Sequence, residues 1–489
     1  MFNRRFKSRD SDTANKSRDS DTANKSRDSD TANKSRVSDT ANKSRVSDTG
    51  NKLRKFKSYA HKLVLIASIF FISAAHAQVV VGAINPKAGA IPIAIVPFGW
   101  QSAGVADTDL AAVIRSDLNR TGQFAALRND RYIDTPTTGS EIKFDTWRLL
   151  KQNYIVVGRV LDTPNNTYRI EFSLYTIGTQ KMELGIAITS RPNDLRAAAH
   201  QIADQIYEKI LGVRGAFSTR IAYITSTGLG KVRQYKLIVA DSDGFNPTAM
   251  VTSREPLLSP AWSPDSRRLA YVSFERGNSA IYLHELATGA RRLLSSNKGI
   301  NGAPAFSPDG SKIALTLSRT GNPEIYTMDL ASGALTQLTK SFSIDTEPVW
   351  MPGGGQILFT SDRGGRPQVY RMNADGSGVQ RITFEGTENA RASVSADGKK
   401  IAVAQGQSNV YHIAMINRER GEPGQVTTVS HGRLDECPSF APNGSMILYA
   451  AREGGRGYLV ASSVDGETTQ RLTIAEGDVR EPAWSPFRK

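Results

Sequence analysis

The chain reads as a small α/β N-terminal domain followed by an all-β six-bladed β-propeller closed by its own C-terminal strand. Three observations predict this. An apolar anchor followed by a Ser-Pro-Asp-Gly-like turn recurs at Trp262, Phe306, Trp350, Val394, Phe440 and Trp484. The separations are 44, 44, 44, 46 and 44 residues, and a fixed period in the forties built of short strands marks a propeller. Finally, the last copy stops after its anchor strand, whereas residues 220–252 carry three strand-like runs with no anchor before them.

From the front, residues 7–51 are five tandem nonamers of the type Lys-Ser-Arg-Asp-Ser-Asp-Thr-Ala-Asn, with Val37, Val46 and Gly50 as departures. They hold almost nothing apolar to bury, so residues 1–51 are expected to form a disordered extension. Residues 52–77 have the build of a signal peptide. Lys52, Arg54, Lys55, Lys57 and Lys62 form a basic lead, Leu63 to Ile72 an apolar run, and Ala75-His76-Ala77 a small-residue cleavage site. Ten apolar residues are too few to span a bilayer and suit a cleaved signal. Cleavage is expected between Ala77 and Gln78, with export to the periplasm of a Gram-negative bacterium. Translation starting near Leu53 would explain the odd preface.

The formal charge of +15 is concentrated in this front end: residues 1–62 hold 17 Lys/Arg against 8 Asp, leaving +6 on the remainder. No basic patch is interleaved with aromatics, which argues against a nucleic-acid partner. Cys437 is the only cysteine. An exported chain without an intramolecular disulfide suits the periplasm better than a small secreted module. Cys437 itself reads as a semi-buried small residue.

Residues 78–213 lack the 44-residue period and form the expected α/β domain. Ile91 to Pro97 is an apolar strand. Asp107 or Thr108 can cap a helix through Leu110, Val113, Ile114 and Leu118. Asn153 to Leu161 and Tyr168 to Ile177 read as strands. Asp194 starts an amphipathic helix with Leu195, Ala198, Ile202, Ile206 and Ile210 on one face, ending at Gly212. Asp107, Asp109 and Asp117 read as helix-cap and solvated-face carboxylates. Leu211 to Phe217 is the linker, and the propeller occupies 214–489.

Each cassette holds four strands. The first ends at the anchor, as in Pro260-Ala261-Trp262. A turn such as Ser307-Pro308-Asp309-Gly310 follows, with Pro where φ near −65° is needed and Gly where the chain leaves the turn. The second strand is strongly apolar (Ile313-Ala-Leu-Thr), the third follows a Gly-rich hairpin (Ile325-Tyr-Thr-Met), and the fourth is more polar (Thr336-Gln-Leu-Thr). Inner strands are covered on both faces by neighbouring blades, whereas outer strands meet water. Joining the anchor strand at 481–489 to the three runs at 220–252 completes one blade and removes an exposed edge.

The residues just before each anchor strand ring one mouth of the central channel. Three positions before the anchors stand Ser259, Ala303, Glu347, Arg391, Cys437 and Glu481. Four before stand Leu258, Gly302, Thr346, Ala390, Glu436 and Arg480. The framework repeats while these positions vary, as a recognition surface would.

Several segments then identify a family. Ile93-Ala-Ile-Val-Pro-Phe-Gly-Trp100, Ser259-Pro-Ala-Trp-Ser-Pro-Asp265, Asn301-Gly-Ala-Pro-Ala-Phe-Ser-Pro-Asp-Gly310, Thr346-Glu-Pro348, Gly365-Arg-Pro-Gln-Val-Tyr370 and Pro482-Ala-Trp-Ser-Pro486, in this domain order, resemble the TolB family of the Tol–Pal envelope system. The resemblance covers 78–489. It implies a monomeric, non-enzymatic periplasmic platform whose propeller docks the lipoprotein Pal and whose N-terminal segment contacts TolA, leaving room for other outer-membrane proteins. The implied roles are outer-membrane integrity and envelope constriction at cell division. The Pal-facing set is expected at Glu255, Asn301, Gly302, Ala303, Thr346, Glu347, Arg391, Glu436 and Arg480. The TolA-facing set is expected at Gln78, Val79, Val80, Val81, Ile84 and Asn85. Where some members of that family carry a His just before the Asn-Gly-Ala segment, this chain has Ile300, so no polar contact is expected there.

The competing class is a propeller-containing periplasmic hydrolase or lyase. A serine peptidase needs a Gly-x-Ser-x-Gly elbow, and the sequence has none. A metal lyase wants clustered His, but His200, His284, His412 and His431 are scattered. Gly228-Leu-Gly-Lys231 is a glycine hairpin and not a phosphate loop. No cofactor is expected.

Overall fold

The computed structural model describes residues 88–102, 107–419, 422–474 and 477–488. The nonamers, the signal peptide with its Ala77–Gln78 junction, and the segment containing Gln78, Val79, Val80, Val81, Ile84 and Asn85 lie outside the described residues.

Among the described residues the α/β part is one mixed sheet with three α-helices. Strand β1 (Ile91–Ile95) sits between β3 (Phe124–Ala126) and β4 (Tyr154–Thr163), parallel to both. The sheet continues antiparallel through β5 (Thr167–Thr176) and β6 (Lys181–Ser190), and β2 (Gly99–Gln101) also pairs with β4. Helix α1 (Leu110–Arg120) and helix α3 (Leu195–Leu211) bury Ile114, Leu118, Ile202 and Ile206 completely, in one core with Ile93, Ile95, Val156 and Ile170 of the sheet. The short helix α2 (Phe144–Leu149) places Trp147, wholly buried, in a second core with Ala94, Ile155 and Val157.

The cap of α1 is Asp109, whose carboxylate accepts from the Ala112 amide at 3.0 Å. It therefore takes the role expected of Asp107 or Thr108. Asp117 corrects the sequence reading more sharply. It is 1% exposed, not solvated, because α1 turns that face onto α3 and the propeller. Gly212 ends α3 with φ of +72°, the left-handed conformation a helix C-terminus favours.

Six four-stranded antiparallel sheets follow. Blade 1 begins with Leu257–Trp262, blade 2 with Asn301–Phe306, blade 3 with Asp345–Trp350, blade 4 with Glu388–Val394 and blade 5 with Glu436–Phe440. Blade 6 joins the C-terminal strand Asp478–Trp484 to Arg220–Thr227, Gln234–Asp241 and Thr248–Ser253. The closing register pairs Ala483 with Ala222 and Trp484 with Ile221. Beyond it, the Ser485 amide donates to the Arg220 carbonyl at 2.8 Å, and the Arg220 amide donates to the Ser485 hydroxyl at 3.0 Å. The ring is thus sealed by the tail, as the sequence predicts.

The anchors bind blade to blade as well as filling space. Trp262 Nε1 donates to the carbonyl of Ala483 in blade 6, and Trp350 Nε1 to that of Ala305 in blade 2. Trp484 Nε1 reaches Thr219 Oγ1 at 2.8 Å. The Ser-Pro-Asp-Gly turns are tied by their first residue. Ser307 Oγ accepts from the Lys312 amide and donates to Asp309, whose carboxyl is held down at about 2 chiefly by that hydroxyl and by Ser311. Gly310 has φ of +72°; in blade 1 Ser266 takes the same place at +57° and uses its hydroxyl on the Pro486 carbonyl of the tail.

Candidate partner-binding face and interdomain seam

Strand direction alternates within a blade, so each face of the ring collects one class of loop. The turns after the first and third strands meet the α/β part: Asn443 Nδ2 donates to the Arg214 carbonyl, and Gly122 lies against Thr468. The opposite face therefore carries the loops leading into each first strand, where the mouth positions lie.

That mouth has a backbone signature the sequence does not announce. Ser259, Ala303, Glu347, Arg391, Cys437 and Glu481 all have φ between +46° and +58°. Each sits at a register break between the first and second strands of its blade. Six β-bulges in left-handed conformation, none of them glycine, store strain at one ring of the molecule, and such strain concentrates at functional sites.

Two members of the expected set, Glu347 and Arg391, meet between neighbouring blades. Arg391 Nε lies 3.1 Å from Glu347 Oε1, its Nη2 3.7 Å from Glu481 Oε1, and its Nη1 3.1 Å from Cys437 Sγ. One guanidinium thus links blades 3, 4, 5 and 6. Burial opposes its charge, but the carboxylates of Glu481, Glu347 and Glu436 outweigh this and hold its pKa above the usual guanidinium value. Glu347 also accepts from Thr360 Oγ1 at 2.9 Å and from the Arg391 amide at 3.0 Å. Cys437 is buried, and burial pushes its thiol well up, so it is not a poised nucleophile.

The remaining residues divide. Glu255 is exposed, and Gly302, Ala303, Thr346, Glu436 and Arg480 are half-buried around the mouth. Thr346 Oγ1 is 3.3 Å from Thr316 Oγ1, and Arg480 pairs with Asp478. Asn301 is a correction. It is fully buried, its carbonyl oxygen accepts from Ser295 Oγ and the Asn297 amide, and its Nδ2 donates to the Asn297 and Gly299 carbonyls. Its side chain holds the loop and is not displayed on the surface. Sequence reasoning missed apolar side chains on the same face as the mouth. Phe342, Ile344 and Phe384, in the loops entering blades 3 and 4, are exposed. Their only sequence signal is an aromatic in an otherwise polar loop, as in Lys340-Ser-Phe-Ser-Ile344.

Sequence reasoning also missed the seam between the two parts. His200 of α3 is 2% exposed, with Nδ1 2.6 Å from Asp117 Oδ2 of α1 and Nε2 3.7 Å from Asp243 Oδ2 of blade 6. Arg120 pairs with Asp117 at 3.1 Å and donates to the Ser242 hydroxyl and carbonyl at 2.8 and 3.0 Å. Arg196 pairs with Asp243. Burial alone would lower the His200 pKa, but Asp117 and Asp243 raise it above its ordinary value. Burial pushes the Asp243 carboxyl up, yet His200, Arg196 and Arg120 bring it below the usual range. Two carboxylates and a histidine within 4.8 Å have the outline of a metal site. Two guanidinium groups on the same carboxylates already supply the positive charge, so the cluster is a charge clamp between the α/β part and the propeller. Asp204 completes it by accepting the Phe217 and Ser218 amides of the linker at 2.7 and 3.1 Å, and any Cβ on Gly215 would collide with Asp204.

Comparison with known proteins is then decisive. The TolB amino-terminal domain family matches residues 79–182, and the TolB β-propeller domain family matches 207–488. The chain belongs to the TolB family. The Tol-Pal system protein TolB of Xanthomonas euvesicatoria pv. vesicatoria (strain 85-10) is 65% identical over 406 residues, covering 83% of this chain and 92% of that protein. That of Xanthomonas campestris pv. campestris (strain B100) is 64% identical over the same length. The crystal structure of TolB from Acinetobacter baumannii superposes with a TM-score of 0.76 at 40% identity, covering 83% of this chain and 99% of the other. Family membership makes this chain a periplasmic component of the Tol–Pal system built on a propeller.

Proposed function

We propose that the chain is a non-catalytic docking platform, whose channel mouth binds Pal and whose N-terminal segment engages TolA, in support of outer-membrane integrity and envelope constriction. Export removes the signal peptide by cleavage between Ala77 and Gln78. The observation that carries the docking role is the ring of six left-handed bulge residues, on the face opposite the α/β part, whose loops also expose Phe342, Ile344 and Phe384. Exposed apolar side chains on the same face as strained, polar, blade-specific positions are what a protein partner needs. The contact set is Glu255, Gly302, Ala303, Thr346, Glu347, Arg391, Glu436 and Arg480. TolA contact falls to Gln78, Val79, Val80, Val81, Ile84 and Asn85, a β-prone start suited to strand addition.

The test is the double substitution Thr346→Arg with Ala303→Arg. Arg391 holds the same bulge position in blade 4 with the same backbone conformation, so an arginine at 303 is compatible with the chain. Pal binding is expected to vanish while the melting temperature stays within a few degrees. Unchanged affinity in folded protein would refute the mouth as the docking site.

A further inference from the structure

Away from the channel, on the same face, a cleft of about 530 Å³ opens between blades 4 and 5. Its walls are two hairpin tips. One is the two-residue turn Ser408-Asn409, between the paired residues Gln407 and Val410, with φ of +52° and +64°. The other is Gly454-Gly455, between Glu453 and Arg456, with φ of +55° and +81°. Both are the primed turns that tight hairpins require, and the glycines leave the backbone open to approach. The floor is the segment Arg433-Leu434, pinned to the neighbouring hairpin by the Tyr411 amide on the Arg433 carbonyl at 3.0 Å.

The lining is chemically one-sided. Among the described residues, Arg433, Arg452 and Asn409 line the cleft beside the two glycines and Leu434, with no carboxylate among them. Among the described residues neither Arg433 nor Arg452 is in an ion pair; Arg452 donates only to the Gly455 carbonyl at 3.1 Å. The acids nearby are engaged elsewhere. Asp435 is 1% exposed and turned onto the Gly432 amide, Glu453 pairs with Arg471, and Asp478, within electrostatic reach of Arg452, pairs with Arg480.

The geometry points to a carboxylate-binding cleft for an acidic segment of a protein partner, with Arg433 and Arg452 as the paired recognition groups. Guanidinium groups match carboxylates in shape and charge, and the volume holds two or three side chains. The site deepens the docking reading, since it lies on the proposed docking face, but its chemistry is independent of the mouth.

The experiment titrates the processed full-length protein with a fluorescent acetylated hexapeptide of alternating Asp and Glu, with the matching Lys hexapeptide, and with inorganic phosphate as competitor. The acidic peptide is expected to bind with an affinity that falls as salt rises. Arg433→Gln with Arg452→Gln is expected to weaken it about tenfold without changing the melting temperature. Equal binding by the double variant, or equal binding of the Lys peptide, overturns the proposal. Full displacement by phosphate at the peptide's own concentration overturns the acidic segment as occupant. Pal is measured in parallel. If the double variant loses the peptide but the wild type never binds Pal, the docking reading fails and the cleft stands. If Pal binds both proteins and the peptide binds neither, the cleft fails and the docking reading stands.

Discussion

Replacing Asp243 by Asn should uncouple the α/β part from the propeller. Asp243 is 7% exposed and is the propeller's main negative charge at the seam, facing Arg196 and His200 of α3. The substitution keeps the shape and removes the charge, leaving a guanidinium and an imidazolium against a neutral amide. Breaking one partner of a buried pair costs about 3–5 kcal/mol. If the α/β part melts as its own unit, that is on the order of 10 °C. Differential scanning calorimetry should show one transition split into two, the lower belonging to the α/β part.

The pH dependence fixes the sign. The folded-state pKa of His200 is raised above 6.5, so its charge contributes fully below that value and is lost as pH rises through the folded pKa. The pKa of Asp243 is lowered from 3.8, so its contribution holds above 3.8 and fades only as pH falls further. The clamp is strongest between about pH 4 and 6.5. The melting-temperature gap between wild type and the Asp243→Asn variant should shrink from pH 6 to pH 9 without closing, because Arg196 stays charged. His200→Gln should remove that slope. A destabilisation under about 1 kcal/mol, or a melting-temperature gap that grows with pH, would refute the clamp.

Three further outcomes are expected. Trp484→Ala removes a buried anchor and its bond to Thr219, and should cost about 3–5 kcal/mol, read from urea unfolding and from protease sensitivity of the last residues. Arg391→Met leaves Glu347 and Glu481 facing each other in the channel without their shared cation, and should destabilise more than the double variant Arg391→Met with Glu347→Gln. A simple sum of the two single effects would show that the residues are not coupled. N-terminal sequencing of periplasmic protein should begin at Gln78, and a start elsewhere would remove the cleavage assignment.

The propeller was legible in the sequence because its cause is local and repeated. Each anchor, each Ser-Pro-Asp-Gly turn and each apolar second strand acts within its own 44 residues, so period and alternation alone specify blade count, strand order and the closing role of Trp484. The mouth was legible as a set of positions, since three residues before an anchor is a fixed place in the repeat. What those side chains do there was decided by the tertiary structure. Asn301 turned inward to hold its loop, while Arg391 reached Glu347 and Glu481, up to 90 residues away in sequence. The His200 clamp and the Arg433–Arg452 cleft were invisible for the same reason. Asp117, His200 and Asp243 come from two helices and a blade turn, and no spacing rule connects them. Repetition along a chain encodes a scaffold, whereas a cluster of charges exists only where folding removes water from groups that the sequence keeps apart.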